Sequence, residues 1–95
     1  MRFNELKFQP TECPNGIQAI VGFGDSYELS IVKSDFSYGG KQGLYEIGVF
    51  FNGVMKELAG VTNPDDTIKG FLNESEVDGI LLKMMALTGE EGSQI

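Results

Sequence analysis

At 95 residues and 10.4 kDa the chain has room for one domain. Fourteen Asp and Glu against seven Lys and Arg give a formal charge of −7, with no His, no Trp and a single Cys. These counts exclude Ser-His-Asp and Cys-His catalysis, imidazole metal ligation and an internal disulfide. The charge also argues against direct nucleic-acid binding, because phosphate neutralisation needs Lys and Arg.

Phe3, Leu6 and Phe8 mark a short first strand that Pro10 ends, since proline removes a ladder donor. Thr11 to Gly16 reads as a loop, with a turn at Pro14-Asn15-Gly16. From Ile17 the pattern alternates, placing Ile17, Ala19, Val21 and Phe23 on one strand face. Gly24-Asp25-Ser26 signals a turn, and Tyr27 to Val32 alternates as the returning strand of a hairpin. Ser34 to Gly43 carries three glycines and two aromatics, a composition that suits neither helix nor strand. Leu44 to Phe51 resumes a strand, and Asn52-Gly53 predicts a tight hairpin turn into a strand over Val54 to Leu58.

After Gly60 the grammar changes. Asn63-Pro64-Asp65-Asp66 breaks the pattern, and Thr67 to Leu72 reads as a helical turn interrupted by Gly70. Asn73 is placed to cap a helix, with Glu76 completing a capping box. Val77, Ile80, Leu81, Met84 and Thr88 follow the spacing of one buried helical stripe, and Gly89 stops it. Residues 1–89 thus form a single α+β domain: an antiparallel sheet of four to five strands with one C-terminal helix packed on a face. Residues 90–95 read as a disordered tail. No membrane-spanning or secretory segment is expected, and the exposed edge of so small a sheet offers a route to a homodimer.

Few segments suggest chemistry. Tyr38 to Gly43 resembles a phosphate loop only in composition: Asp35 stands where its first Gly belongs, Gln42 follows Lys41, and a strand comes next rather than a helix. Gly22-Phe23-Gly24 lacks the following helix of a dinucleotide site. Asn63 to Asp66 supplies hard oxygen donors but not the spacing of a calcium loop, so a turn explains it and no metal is expected. Asp25 with Glu28, or Glu46 with Glu57 across the hairpin, are possible carboxylate pairs; a solvated sheet face explains both. Cys13 has no neighbouring base to activate it. The expectation is a protein without enzymatic activity or cofactor. The charge is uneven: residues 65–95 hold seven acids against two lysines, leaving −5, and residues 1–64 hold seven against five basic residues, leaving −2. A concentrated negative surface steers basic partners.

Ser37-Tyr38-Gly39-Gly40 followed by Gly43-Leu44-Tyr45-Glu46 resembles a group of small uncharacterised proteins encoded by tailed bacteriophages. The likeness takes in Tyr27 to Val32 and, loosely, Gly70-Phe71-Leu72 with the acidic helix start and Val77. It implies a phage or phage-like origin and the cytoplasm of a bacterial host, and it carries no activity onto residues. The leading expectation is an accessory protein acting by contact with a host or phage protein, through Ser37, Tyr38, Gly39, Gly40, Lys41 and Tyr45. The runner-up is an acidic inhibitor that occupies the nucleic-acid site of a host enzyme. A binder of a small molecule or nucleotide at the glycine loop is third.

Overall fold

The computed structural model describes residues 1–95 and shows an α+β fold. Its strands are β1 (Gln9–Pro10), β2 (Ile17–Phe23), β3 (Tyr27–Lys33), β4 (Tyr45–Phe51), β5 (Val54–Met55), β6 (Ile68–Leu72) and β7 (Ser93–Gln94); the one helix is α1 (Glu74–Thr88). The seven strands fill five positions of one antiparallel sheet. β2, β3 and β4 form the middle, β1 and β7 share the outer edge of β2, and β5 and β6 share the outer edge of β4.

Alternation decides which face is covered. Val21, Phe23, Leu29, Ile31, Ile47 and Val49 point to the same side and pack with Val77, Ile80, Leu81 and Met84 of α1 in one core. Asn73 and Glu76 form the expected capping box: the Glu76 N–H donates to Asn73 Oδ1 at 2.8 Å and the Asn73 N–H to Glu76 Oε1 at 3.0 Å. Gly89, at φ 73°, ends the helix as expected. Asn52 and Gly53 both take positive φ in the tight turn between β4 and β5.

Four expectations are corrected. Phe3–Glu5 is a 3-10 turn, not a strand, because Phe3 and Phe8 fold inward against the Tyr45 ring; the first strand is Gln9–Pro10, with proline at a sheet edge where its missing N–H is harmless. The return strand β5 ends at Met55, three residues short of Leu58. Thr67 to Leu72 is not helical: Ile68–Leu72 is β6, and its pairing with β4 shifts register around Gly70 and Phe71. The tail beyond Gly89 is ordered. Ser93 and Gln94 pair with Gly22 and Val21, the Ile95 N–H donates to the Ile20 carbonyl at 2.9 Å, and the Gln94 side chain holds Lys7 by two backbone hydrogen bonds. Edge pairing between two copies is left with short strands, the longest being the five residues of β6.

Candidate functional site

The Ser34 to Leu44 segment is a folded loop. Ser34 Oγ accepts from the N–H groups of Phe36 and Ser37, and Ser37 Oγ accepts from the Ser34 N–H. The Gly40 N–H donates to the Ser37 carbonyl, Gln42 and Leu44 to that of Gly39, and Gly43 to that of Gly40. These amides are therefore engaged inside the loop, which removes the open donor cradle a phosphate would need. That geometry weighs against the nucleotide reading.

Two anchors fix the loop to the sheet. The Tyr38 N–H donates to Glu46 Oε1 of β4 at 2.8 Å, and the Tyr38 carbonyl accepts from the Phe71 N–H of β6 at 3.1 Å. Gly70 makes the close approach possible, since a Cβ there would lie 2.3 Å from that of Tyr38. The price is paid at Phe71, which is held at φ 58°, a left-handed conformation that bulky side chains rarely adopt. Phe71 is 54% exposed beside Tyr38, itself 58% exposed, with ring centroids 6.4 Å apart; Phe36 is 78% exposed.

The six sequence-predicted residues divide. Tyr38 and Lys41 are exposed, Ser37 and Gly40 half-buried, and Gly39 buried beneath Phe71 and Leu44. Tyr45 is 6% exposed, enclosed by Phe3 and Phe8 with Lys33 Nζ 4.8 Å from its ring centroid, so it offers a partner nothing to touch. Phe71 is the residue that sequence reading missed. Only the resemblance touched it, and a helical turn was expected there.

The carboxylates fall differently from either proposed pair. Glu46 is committed to Tyr38, and Glu57 accepts from the Asp65 N–H in the Asn63–Asp66 turn, so the two are separately engaged. Asp25 and Glu28 instead meet Glu90 and Glu91 from the ordered tail. Together with Gly22 and Ile95 they line an open cleft of about 520 Å³ with no Lys or Arg in its wall. The four acids do not close into a metal-holding cluster.

Asp78 on α1 is the one strongly perturbed carboxyl. The Arg2 guanidinium and the Phe3 N–H donate to it, lowering its pKa from 3.8 to about 2. This pair fastens the N-terminal turn to the helix and makes no contact with the aromatic loop. No helix is long and apolar enough to cross a membrane. Compared with protein-family models, curated proteins and solved structures, the chain matches none.

Proposed function

We propose that this is a small accessory protein, of phage-like origin and acting in the bacterial cytoplasm, that works without catalysis by contacting another protein through the loop that presents Tyr38. The observation that carries this reading is the Tyr38–Phe71 pair. Two large aromatic residues stand more than half exposed, Tyr38 on a loop tied down by backbone hydrogen bonds and Phe71 on the adjoining β6, and Phe71 is kept there at the cost of a strained backbone. Folding alone gives no return for that arrangement, whereas rigid exposed aromatics are what interface centres use. Lys41, exposed on the same loop, adds a charge at its rim.

The test is capture from a bacterial lysate with the wild-type chain and with a Tyr38→Ala/Lys41→Ala variant whose fold is verified by circular dichroism. Loss of a captured protein is expected. A variant that retains every wild-type partner sinks the loop assignment.

A second reading is favoured by the acidic cleft. A wall with Asp25, Glu28, Glu90 and Glu91 and no cation suits an inhibitor that sits on a basic, nucleic-acid-binding surface. It predicts that capture weakens steeply as salt rises, and binding that is indifferent to salt excludes it.

A further inference from the structure

The sheet has a second face on which no helix packs; side chains from the sheet edges reach over it, so that Ser30 and Gly48 are buried and Ile20, Val32 and Phe50 half-buried. The alternate positions that α1 leaves free are Gln18, Ile20 and Gly22 on β2, Glu28, Ser30 and Val32 on β3, and Glu46, Gly48 and Phe50 on β4. Ile20, Val32 and Phe50 stand outside the hydrophobic core, as does Ile68. Contacts confirm that the edges lean onto this face. Gly22 leaves room for Ile95, 3.4 Å from where its Cβ would lie, and Gly48 leaves room for Ile68 and Met55 at 3.5 and 3.6 Å. The face is mixed: Ile20, Val32 and Phe50 stand beside Gln18, Ser30 and two carboxylates, Glu28 and Glu46, and none of these alternate positions on β2, β3 or β4 carries Lys or Arg.

Its borders continue the same chemistry. Gly22, Glu28 and Ile95 belong at once to the face and to the acidic cleft, so the cleft opens directly from it. At the opposite corner, Glu46 accepts from Tyr38, which joins the face to the aromatic pair. Strand spacing and rise give a three-strand to five-strand sheet of this length a plan area of roughly 500 Å². A standard interface takes about 800 Å² from each partner. An occupant of ordinary affinity must therefore also reach the flanking cleft or the ring pair.

We infer that this helix-free face, with the Asp25–Glu28–Glu90–Glu91 cleft beside it, is the docking surface for an amphipathic helix of a partner protein whose apolar stripe is flanked by Lys or Arg. A helix is the element that covers an open sheet face in layered folds. The cationic flank follows from charge complementarity, because the charged side chains among the named face positions and in the cleft wall are all acidic. A second copy is a poor occupant: face to face, two copies would bury Glu28 and Glu46 from each side with no cation to meet them. The inference rests on the proposed mode of action only in taking the protein to work by protein contact, since the face and cleft are distinct from the Tyr38 and Phe71 rings.

The probe is a Leu/Lys peptide patterned as an amphipathic helix, titrated into the full ¹⁵N-labelled chain and followed by NMR. Its Leu/Glu counterpart of equal length and the polyamine spermidine serve as comparisons. Amide shifts are expected at Ile20, Glu28, Val32, Glu46 and Phe50, with a Glu28→Lys/Glu90→Lys variant raising Kd about tenfold or more. Spermidine should shift the cleft amides and leave Val32 and Phe50 unmoved. The inference is overturned by equal binding of the Leu/Glu peptide. Shifts centred instead on Glu74 and Glu76 of α1, or spermidine perturbing the whole face, overturn it equally. So does a doubled mass in sedimentation whose concentration dependence tracks the same face amides, because the occupant is then a second copy. A Tyr38→Ala arm separates the two proposals: unchanged peptide affinity leaves the face standing and says the loop acts apart from it.

Discussion

Gly40 holds a place that no other residue can take. A Cβ there would lie 1.7 Å from the Ser34 carbonyl oxygen and 2.8 Å from its carbon, both backbone atoms that cannot swing aside. Gly43, three residues on, differs in kind: φ is 79° but nothing lies within 4 Å, so a methyl group meets only an unfavourable dihedral. Gly40→Ala should therefore lower stability by roughly 2–3 kcal/mol, as steric disruption of a packed turn does. Gly43→Ala should cost about 1 kcal/mol, the ordinary penalty for an L-residue in left-handed space. Urea midpoints with unchanged slope check both values, and equal losses at the two positions would show that sterics at Ser34 are not decisive. The same measurement separates folding from contact at Tyr38, whose ring is exposed and whose anchoring bonds are made by its backbone.

Among the elements, those with a strong local signal were legible: the β2–β3 hairpin, the Asn52-Gly53 turn, and α1 with its Asn73–Glu76 box. What escaped depended on distant partners. β6 carries Gly70 in its middle and lacks strict alternation; only the edge of β4 makes it a strand, and the shifted register there is what puts Phe71 outside. The tail was illegible for a similar reason. Its composition is that of a free end, yet pairing with β2 and the Gln94 bonds to Lys7 fix it. Misreading the tail also hid the acidic cleft, because counting charge along the chain cannot bring Glu90 to Asp25. For the loop, sequence identified Tyr38 and Lys41 as surface and mistook Tyr45, whose alternation with Ile47 and Val49 already placed it on the covered face. Between elements, Arg2 and Asp78 clamp the N-terminal turn to α1. Since Asp78 titrates at about 2 when folded and near 3.8 otherwise, its stabilisation is complete above that upper value. It drains away as pH falls through the lower one. Asp78→Asn should flatten the stability profile across this window while leaving the neutral-pH fold intact, an effect kept small by solvent around both partners. Urea midpoints on either side of the window decide it; an unchanged profile means the pair is not the source.

At the scale of the whole molecule, charge sets two responses to salt that run in opposite directions. Arg2–Asp78 is the one ion pair, against a net charge of −7 packed within a radius of gyration of 12.1 Å. Attraction has little to lose on screening and repulsion has much, especially where Asp25, Glu28, Glu90 and Glu91 crowd one cleft. At about 0.01 M salt the screening length is roughly 30 Å and all these charges feel one another; at about 0.1 M it is near 10 Å and only neighbours do. The thermal midpoint at neutral pH should accordingly rise over that interval, as self-repulsion is relieved. A cationic partner helix should show the reverse, its affinity falling over the same interval while the free protein grows more stable. The opposition is informative because it separates electrostatic binding from general tightening of the fold. A midpoint that falls with added chloride would mean that attractive pairs dominate after all, and the negative cleft would lose its claim to be waiting for a cation.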